Sequence, residues 1–513
     1  MTTAIDSVRA EKPGFRTCSV TGFKVHMPAQ RLIIANAVAA VVFLLIGLVM
    51  SVLLGLTRWE AVHLLPADLY YRFLTVHGTD MLVFWIVFFE VAGLYFGGAV
   101  MLNARLVRPG LAWLAFALMV IGAAMVNIVM FAGGADVMFT AYVPLEAHPA
   151  FYLGVILFAV GALLAVSLFL ANVIVAKREK SFTGSVPLVT YGLIAAAVIA
   201  VYTLISGAIA FVPAFLWSIN VIPEYDPATY RVLFWAFGHP AQQVNLAATV
   251  AVWYALATLT TGAKPVNEKL SRIAFLLYIL FINLASMHHL LVDPGLTENN
   301  RIINASYFVY LAVVGSMIHA YSIPAGVEIA QRSKGHVKGI FQWLARAPWK
   351  EPGFAALAVS MLIFGFIGGT SGVIQGTLQL NMIAHNTLRV PGHFHGTVVG
   401  GTTLAFMGLA YYLVPLMARR HLVGLKWAKV QPYIFGAGVA MLSLGMIWSG
   451  IAGVPRRTWD ITPSVAVSVP AYPGAEVSLA ITGIGGTIAA VGGVIFVLIM
   501  VLTLLKGRKM ENA

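Results

Sequence analysis

Seven histidines fall inside long apolar stretches of this 513-residue sequence: His77, His239, His288, His289, His319, His393 and His395. A ligand-type side chain is costly in lipid, so each needs a reason to be there, and metal ligation is chemistry to which imidazole is well suited. Spacing sorts them. In VPGHFHG at 390–396, His393 and His395 stand two residues apart, about 200° around a helix, so they face opposite sides and can serve two centres. Adjacent His288 and His289 diverge by about 100° on an α-helix, a wedge that closes on one metal if His239 supplies a third corner. Three imidazoles with open positions suit copper, iron or zinc.

The elements that must hold these residues are membrane spans. The chain is 60% hydrophobic and 10% charged, with a mean hydropathy of +0.88, outside the range of soluble domains. Stretches long enough to cross a bilayer run at 31–56, 68–99, 111–133, 150–176, 186–217, 230–261, 269–292, 303–330, 353–373, 391–417, 431–453 and 475–505. No ten-residue alternation suggests a barrel, and a backbone in lipid must satisfy its own hydrogen bonds, so all twelve read as helices. Without internal repeat or soluble segment, residues 1–513 read as one all-α, polytopic transmembrane domain. The first thirty residues are polar and basic and lack the short apolar core of a signal peptide.

Charge sets the expected orientation. Of 32 Lys and Arg, 25 lie in the N-terminus, alternate loops and the C-terminus, while the opposite set holds only Arg58, Arg72, Arg231, Arg301, Arg389, Arg456 and Arg457. The positive-inside rule then puts both termini in the cytoplasm, in a bacterial or archaeal inner membrane. The same rule accounts for the net charge of +13 through anchoring to anionic lipid, without nucleic acid. Cys18 is the single cysteine, so no disulfide forms within the chain, no CxxCH tethers a haem, and no cysteine pair holds a binuclear copper centre. Any such electron-carrying centre belongs to another subunit.

With direction assigned, depth follows. His77, His239, His288, His289, His393 and His395 converge on the outer third of the membrane from four spans, whereas His319 lies deeper. His26, His336 and His421 fall in inner loops, and His63, His148 and His385 in outer ones, where solvated or interfacial roles suffice. A single buried histidine is more often structural; six at one depth are not explained that way.

At these residues the sequence resembles the catalytic subunit of the haem-copper oxidases, which reduce oxygen or nitric oxide, and within them the B-type (ba3-like) branch. The resemblance covers essentially the whole chain and rests on HGTDM at 77–81, FTAYVPLEAHPAFYLG at 139–154, FGHP at 237–240, MHHLLVDPG at 287–295, VPGHFHG at 390–396 and GVPRR at 453–457. It implies that His77 and His395 ligate a low-spin haem and His393 a high-spin haem, both expected to be b-type. His239, His288 and His289 would hold a non-haem metal, with copper favoured over iron. It further implies that Arg456 and Arg457 partner haem propionates, that Asp293 joins the same network, and that a cupredoxin-like binuclear copper or c-type cytochrome subunit donates electrons.

One residue departs from the pattern. Oxygen reductases of this branch carry a tyrosine one turn after the first copper ligand; here the run is His239-Pro240-Ala241-Gln242-Gln243. Glutamine forms no tyrosyl radical, so four-electron oxygen cleavage loses a local donor. Reduction of nitric oxide to nitrous oxide needs no organic radical, and Gln243 then serves as a neutral donor that orients a nitrogen-oxide intermediate. The expected activity is therefore nitric oxide reduction. The alternatives are an oxygen reductase that tolerates loss of the tyrosine or supplies one from another helix, for which Tyr307 or Tyr321 would have to reach the metal, and a non-redox transporter, which has no use for six histidines in one layer. Ser316, His319, Tyr321, Ser322 and Glu328 are candidate proton relays, Tyr254 lies lower on the sixth span, and Glu90 is an intramembrane acid whose partner the sequence does not name.

Overall fold

The computed structural model describes residues 14–282, 284–461 and 474–510, so Arg9 and Lys12 of the basic N-terminus lie outside the described residues. Eleven helices among the described residues are long and apolar enough to cross a membrane: α1 (Met27–Arg58), α2 (Ala67–Val100), α3 (Pro109–Phe131), α4 (Pro149–Arg178), α5 (Leu188–Ser218), α6 (Pro227–Thr261), α8 (Glu298–Ser333), α9 (Pro352–Gly376), α10 (Arg389–Ala418), α11 (Leu425–Ile451) and α12 (Ala475–Lys506). The all-α transmembrane architecture is as expected. Small residues let the helices approach closely: a Cβ at Gly122 on α3 would come within 2.5 Å of Gly154 O on α4, the packing lipid favours because it offers no hydrophobic force between helices. A two-stranded antiparallel hairpin (β1, Phe15–Thr17; β2, Lys24–His26) precedes α1.

The seventh of the twelve expected spans is broken. Its α-helical part, α7, covers only Glu268–Leu277, followed by a π-helical turn at Tyr278–Ile282 and a 3₁₀ turn at Ala285–Leu290. His288 and His289 sit on that 3₁₀ turn, where successive residues diverge by about 120° rather than the α-helical angle.

Irregular backbone recurs at the other histidines. A π-helical turn at Asp80–Phe84 follows His77, and another at His395–Thr403 begins at His395. Inside α6, Pro240 follows His239 directly and removes one donor from the helical ladder. Such departures cost backbone hydrogen bonding and gather at functional sites. The spans concerned are also the most enclosed: 83% of the most apolar stretch of α10 is buried, 78% of α2 and 67% of α6, against 22% of α8. The histidine-bearing helices form the centre, and α8 and α9 lie at the margin.

Candidate metal centre

On α2 and α10 the rings of His77 and His395 face each other nearly parallel, 13° apart in plane, with centroids separated by 6.3 Å. Each ring is tied through Nδ1 to a backbone carbonyl, His77 to Gly47 O at 3.0 Å and His395 to Pro391 O at 2.8 Å. That contact fixes the tautomer with Nδ1–H donating and leaves Nε2 as the lone-pair nitrogen. Gly47 belongs to α1, so three helices position this pair.

His393 is anchored the same way on the other side of α10. Its Nδ1 lies 2.9 Å from Gly368 O and 3.2 Å from Ser371 Oγ, both on α9. The approach is close enough that a Cβ on Gly372 would meet His393 Cε1 at 2.7 Å, so glycine there makes room for the ring. The opposite facing expected from the two-residue spacing is realised: His395 turns to α2 and His393 to α9.

The third group is a corner. His239, His288 and His289 bring one ligand nitrogen each within 4.8 Å of one another, with ring centroids 4.4 Å apart for His239–His288 and 4.1 Å for His288–His289. His239 Nδ1 lies 3.1 Å from His289 Nε2, and Gln243 Nε2 lies 3.0 Å from His239 Nε2. Trp235, one turn before His239, stacks on His289 with centroids 3.8 Å apart and planes 4° apart, and its indole N–H donates to Tyr142 Oη at 2.7 Å. Sequence reasoning did not single out Trp235, although its position four residues before His239 put it on the same helix face.

Above the histidines lies a cluster of cations. Asp293 makes a two-pronged ion pair with Arg231, at 2.6 and 2.9 Å, and its backbone oxygen accepts from Arg301 at 3.1 Å. Its carboxylate is therefore engaged by a residue that sequence reasoning treated only as one of seven outer cations. Arg231 and Arg457 both lie over the Tyr142 ring, at 4.5 and 5.1 Å. Arg456 Nε and His385 Nε2 are buried without partners. Burial, and next the neighbouring Arg457, pushes the Arg456 guanidinium down to about 10, still charged at neutral pH. Burial, and next Arg456, pushes His385 down to about 4, so it is neutral there. The solvated role expected of His385 gives way to one inside this cluster.

Other expected contributors fall elsewhere. Tyr307 is 62% exposed and Tyr321 69%, so on this chain neither points into the metal corner. Glu328 pairs with Arg332 at 2.7 Å. The deeper polar residues do connect: Tyr254 Oη lies 3.0 Å from His319 Nδ1 and 2.9 Å from Ser271 Oγ, which is 3.3 Å from Ser322 Oγ, and Tyr278 Oη lies 3.1 Å from Ser316 Oγ. Tyr278 and Ser271, from the broken seventh span, were not anticipated.

Comparison with known proteins agrees with this architecture. The family model for Cytochrome C and Quinol oxidase polypeptide I matches residues 31–495. Cytochrome c oxidase subunit 1 of Thermus thermophilus is 31% identical over 435 residues, covering 83% of this chain and 75% of that protein. Cytochrome c oxidase polypeptide 1 of Halobacterium salinarum is 28% identical over 258 residues, covering 47% of this chain and 38% of that one. Among solved structures, a cryo-EM structure of a heme-copper terminal oxidase dimer superposes with a TM-score of 0.88 at 27% identity, over 94% of this chain and 86% of that one.

Proposed function

This chain belongs to the cytochrome c and quinol oxidase polypeptide I family, and from that premise we propose that it is the catalytic subunit of a membrane nitric oxide reductase derived from B-type oxidases. In this reading His77 and His395 would hold a low-spin haem, and His393 would hold a high-spin haem. His239, His288 and His289 hold a third metal, copper in preference to iron because the donor set is three imidazoles and a neutral amide.

The residues fit those groups. Two metal–imidazole bonds of about 2 Å each match facing rings whose centroids are 6.3 Å apart. The buried, unpartnered Nε of Arg456 fits a haem propionate, with Arg457 beside it, while Asp293 holds Arg231 in place at the same surface. When bound, the haem irons and the third metal supply one-electron chemistry. The protein's part is to fix imidazole orientation through Gly47, Pro391, Gly368 and Ser371, to keep the site enclosed, and to present a donor at Gln243.

The observation that carries the choice of substrate is Gln243: its amide stands 3.0 Å from His239 Nε2, where a B-type oxygen reductase has tyrosine. An amide can stabilise developing charge by donating a hydrogen bond, yet it supplies neither an electron nor a proton. Joining two molecules of nitric oxide with two electrons and two protons, to give nitrous oxide and water, makes no such demand. Electrons enter from a partner subunit, cupredoxin-like or a c-type cytochrome, since Cys18 alone can build no such centre. A second reading, oxygen reduction, is favoured by the names of the Thermus and Halobacterium relatives.

Electrodes separate the two. Purified protein given an artificial reductant should consume nitric oxide anaerobically and faster than it consumes oxygen under air. Vigorous oxygen uptake with no nitric oxide turnover would reject the first reading.

A further inference from the structure

Two carboxylates are buried among the described residues, Asp80 and Glu90, both on α2. Asp80 turns toward α3 and accepts from Asn127 Nδ2 at 2.9 Å. Glu90 turns toward α6, the helix of His239. The Asn245 amide, turned so that its NH₂ faces its two acceptors, donates to Glu90 Oε1 at 3.0 Å and to Ala241 O at 3.3 Å. Glu90 itself is 8% exposed, takes part in no ion pair among the described residues, and is flanked along α2 by Ile86, Phe89, Val91 and Leu94, all buried.

Enclosing a carboxyl in such surroundings on the strength of one amide donor is expensive. If the residue only joined two helices, glutamine would make the same contact without an ionisable group. The face of α6 that meets Glu90 leads toward the metal corner. Asn245 is six residues, about 9 Å, from His239 along the helix. Gln242, three residues before Asn245 and so on the same face, has a buried Oε1 with no partner. A titratable group, an amide bound to it and an unsatisfied acceptor are thus stacked in sequence toward the histidine layer.

We propose that Glu90 is the carboxyl through which protons reach the reduction site, passing along the Asn245–Gln242 face of α6. The group alternates between acid and carboxylate: the O–H bond breaks as the proton leaves toward the site, and a new one forms as a proton arrives from bulk water on the far side. Glu90 is neither oxidised nor reduced; two passages supply the two protons that reduce two nitric oxide molecules, or four passages the four protons that reduce one oxygen molecule, while the electrons come from the donor subunit. The proposal rests on the chain being a proton-consuming reductase, whether of nitric oxide or of oxygen.

The test uses the purified, haem-loaded protein with its donor subunit. Proton uptake by the reduced enzyme is followed with a pH indicator after mixing with nitric oxide, and with oxygen in parallel. E90Q should keep both haem spectra and the metal content, yet slow proton uptake by about 100-fold, the scale of losing one positioned acid. It should also lose a protonated-carboxyl C=O band from the reduced-minus-oxidised infrared difference spectrum. E90D should recover part of the rate, and D80N, removing the other buried carboxyl, should leave the rate unchanged. E90Q with wild-type uptake and an unaltered infrared spectrum would overturn the proposal. If E90Q fails to assemble, Asn245→Leu carries the test, since it keeps the carboxyl and removes its link; a wild-type rate there would equally overturn it. Wild-type protein that consumes neither gas would reject the reductase reading, whereas normal turnover in E90Q would reject only the role of Glu90.

Discussion

The two groups of facing histidines are built on opposite plans. His77 and His395 are each held by a backbone carbonyl and kept parallel at 6.3 Å. His239, His288 and His289 crowd together, one imidazole nitrogen 3.1 Å from another, and His239 meets the amide of Gln243. A pair locked from behind with both faces committed suits a centre that carries electrons and changes little as it does so. A corner of three rings beside a hydrogen-bond donor, on a 3₁₀ turn and next to a proline, suits a centre that keeps coordination positions for substrate. Under the proposed function, this difference is the division between electron delivery and chemistry.

The largest effects should come from the ligands and should divide along that line. His77→Ala or His395→Ala should abolish the low-spin haem spectrum. His239→Ala should leave that spectrum intact while turnover falls to background; the reverse pattern would break the comparison. Gln243→Leu should keep metal content and both haems yet lower turnover by about 100-fold, the scale of removing one donor from developing charge. Ser371→Ala acts behind His393 and should cost about tenfold in turnover, within the range for a group that orients a ligand, with a shift confined to the high-spin haem spectrum. Asp293→Asn should lower stability by about 2 kcal/mol in thermal denaturation in detergent, because Arg231 loses its charged partner. Tyr307→Phe and Tyr321→Phe should change turnover by less than about twofold, as expected for exposed side chains; a large loss in either would revive a tyrosine-dependent reaction.

Much of this was legible from spacing and hydropathy. Expected and observed spans agree to within a few residues at nearly every helix, because crossing lipid demands a length that composition reveals. Which way a side chain faces was harder to read. A helix that is apolar all round carries no amphipathic stripe, so nothing in the sequence said that Glu90 meets Asn245 rather than lipid. The break after Leu277 was hidden because apolar residues continue through Tyr278–Ile282. Arg231 and Asp293 are 62 residues apart, and no local pattern links them. His393 and His395 were readable because a two-residue spacing on a helix admits only opposite faces, and there the expectation matched the structure.

The most direct test of the account is a nitrogen balance on the wild-type protein with its donor subunit, supplied with reductant under argon and a measured quantity of nitric oxide. The account predicts one nitrous oxide evolved for every two nitric oxide consumed, with turnover continuing until the substrate is exhausted. Nitric oxide that merely binds and halts the enzyme, with no nitrous oxide formed and with rapid oxygen uptake in air, would contradict it.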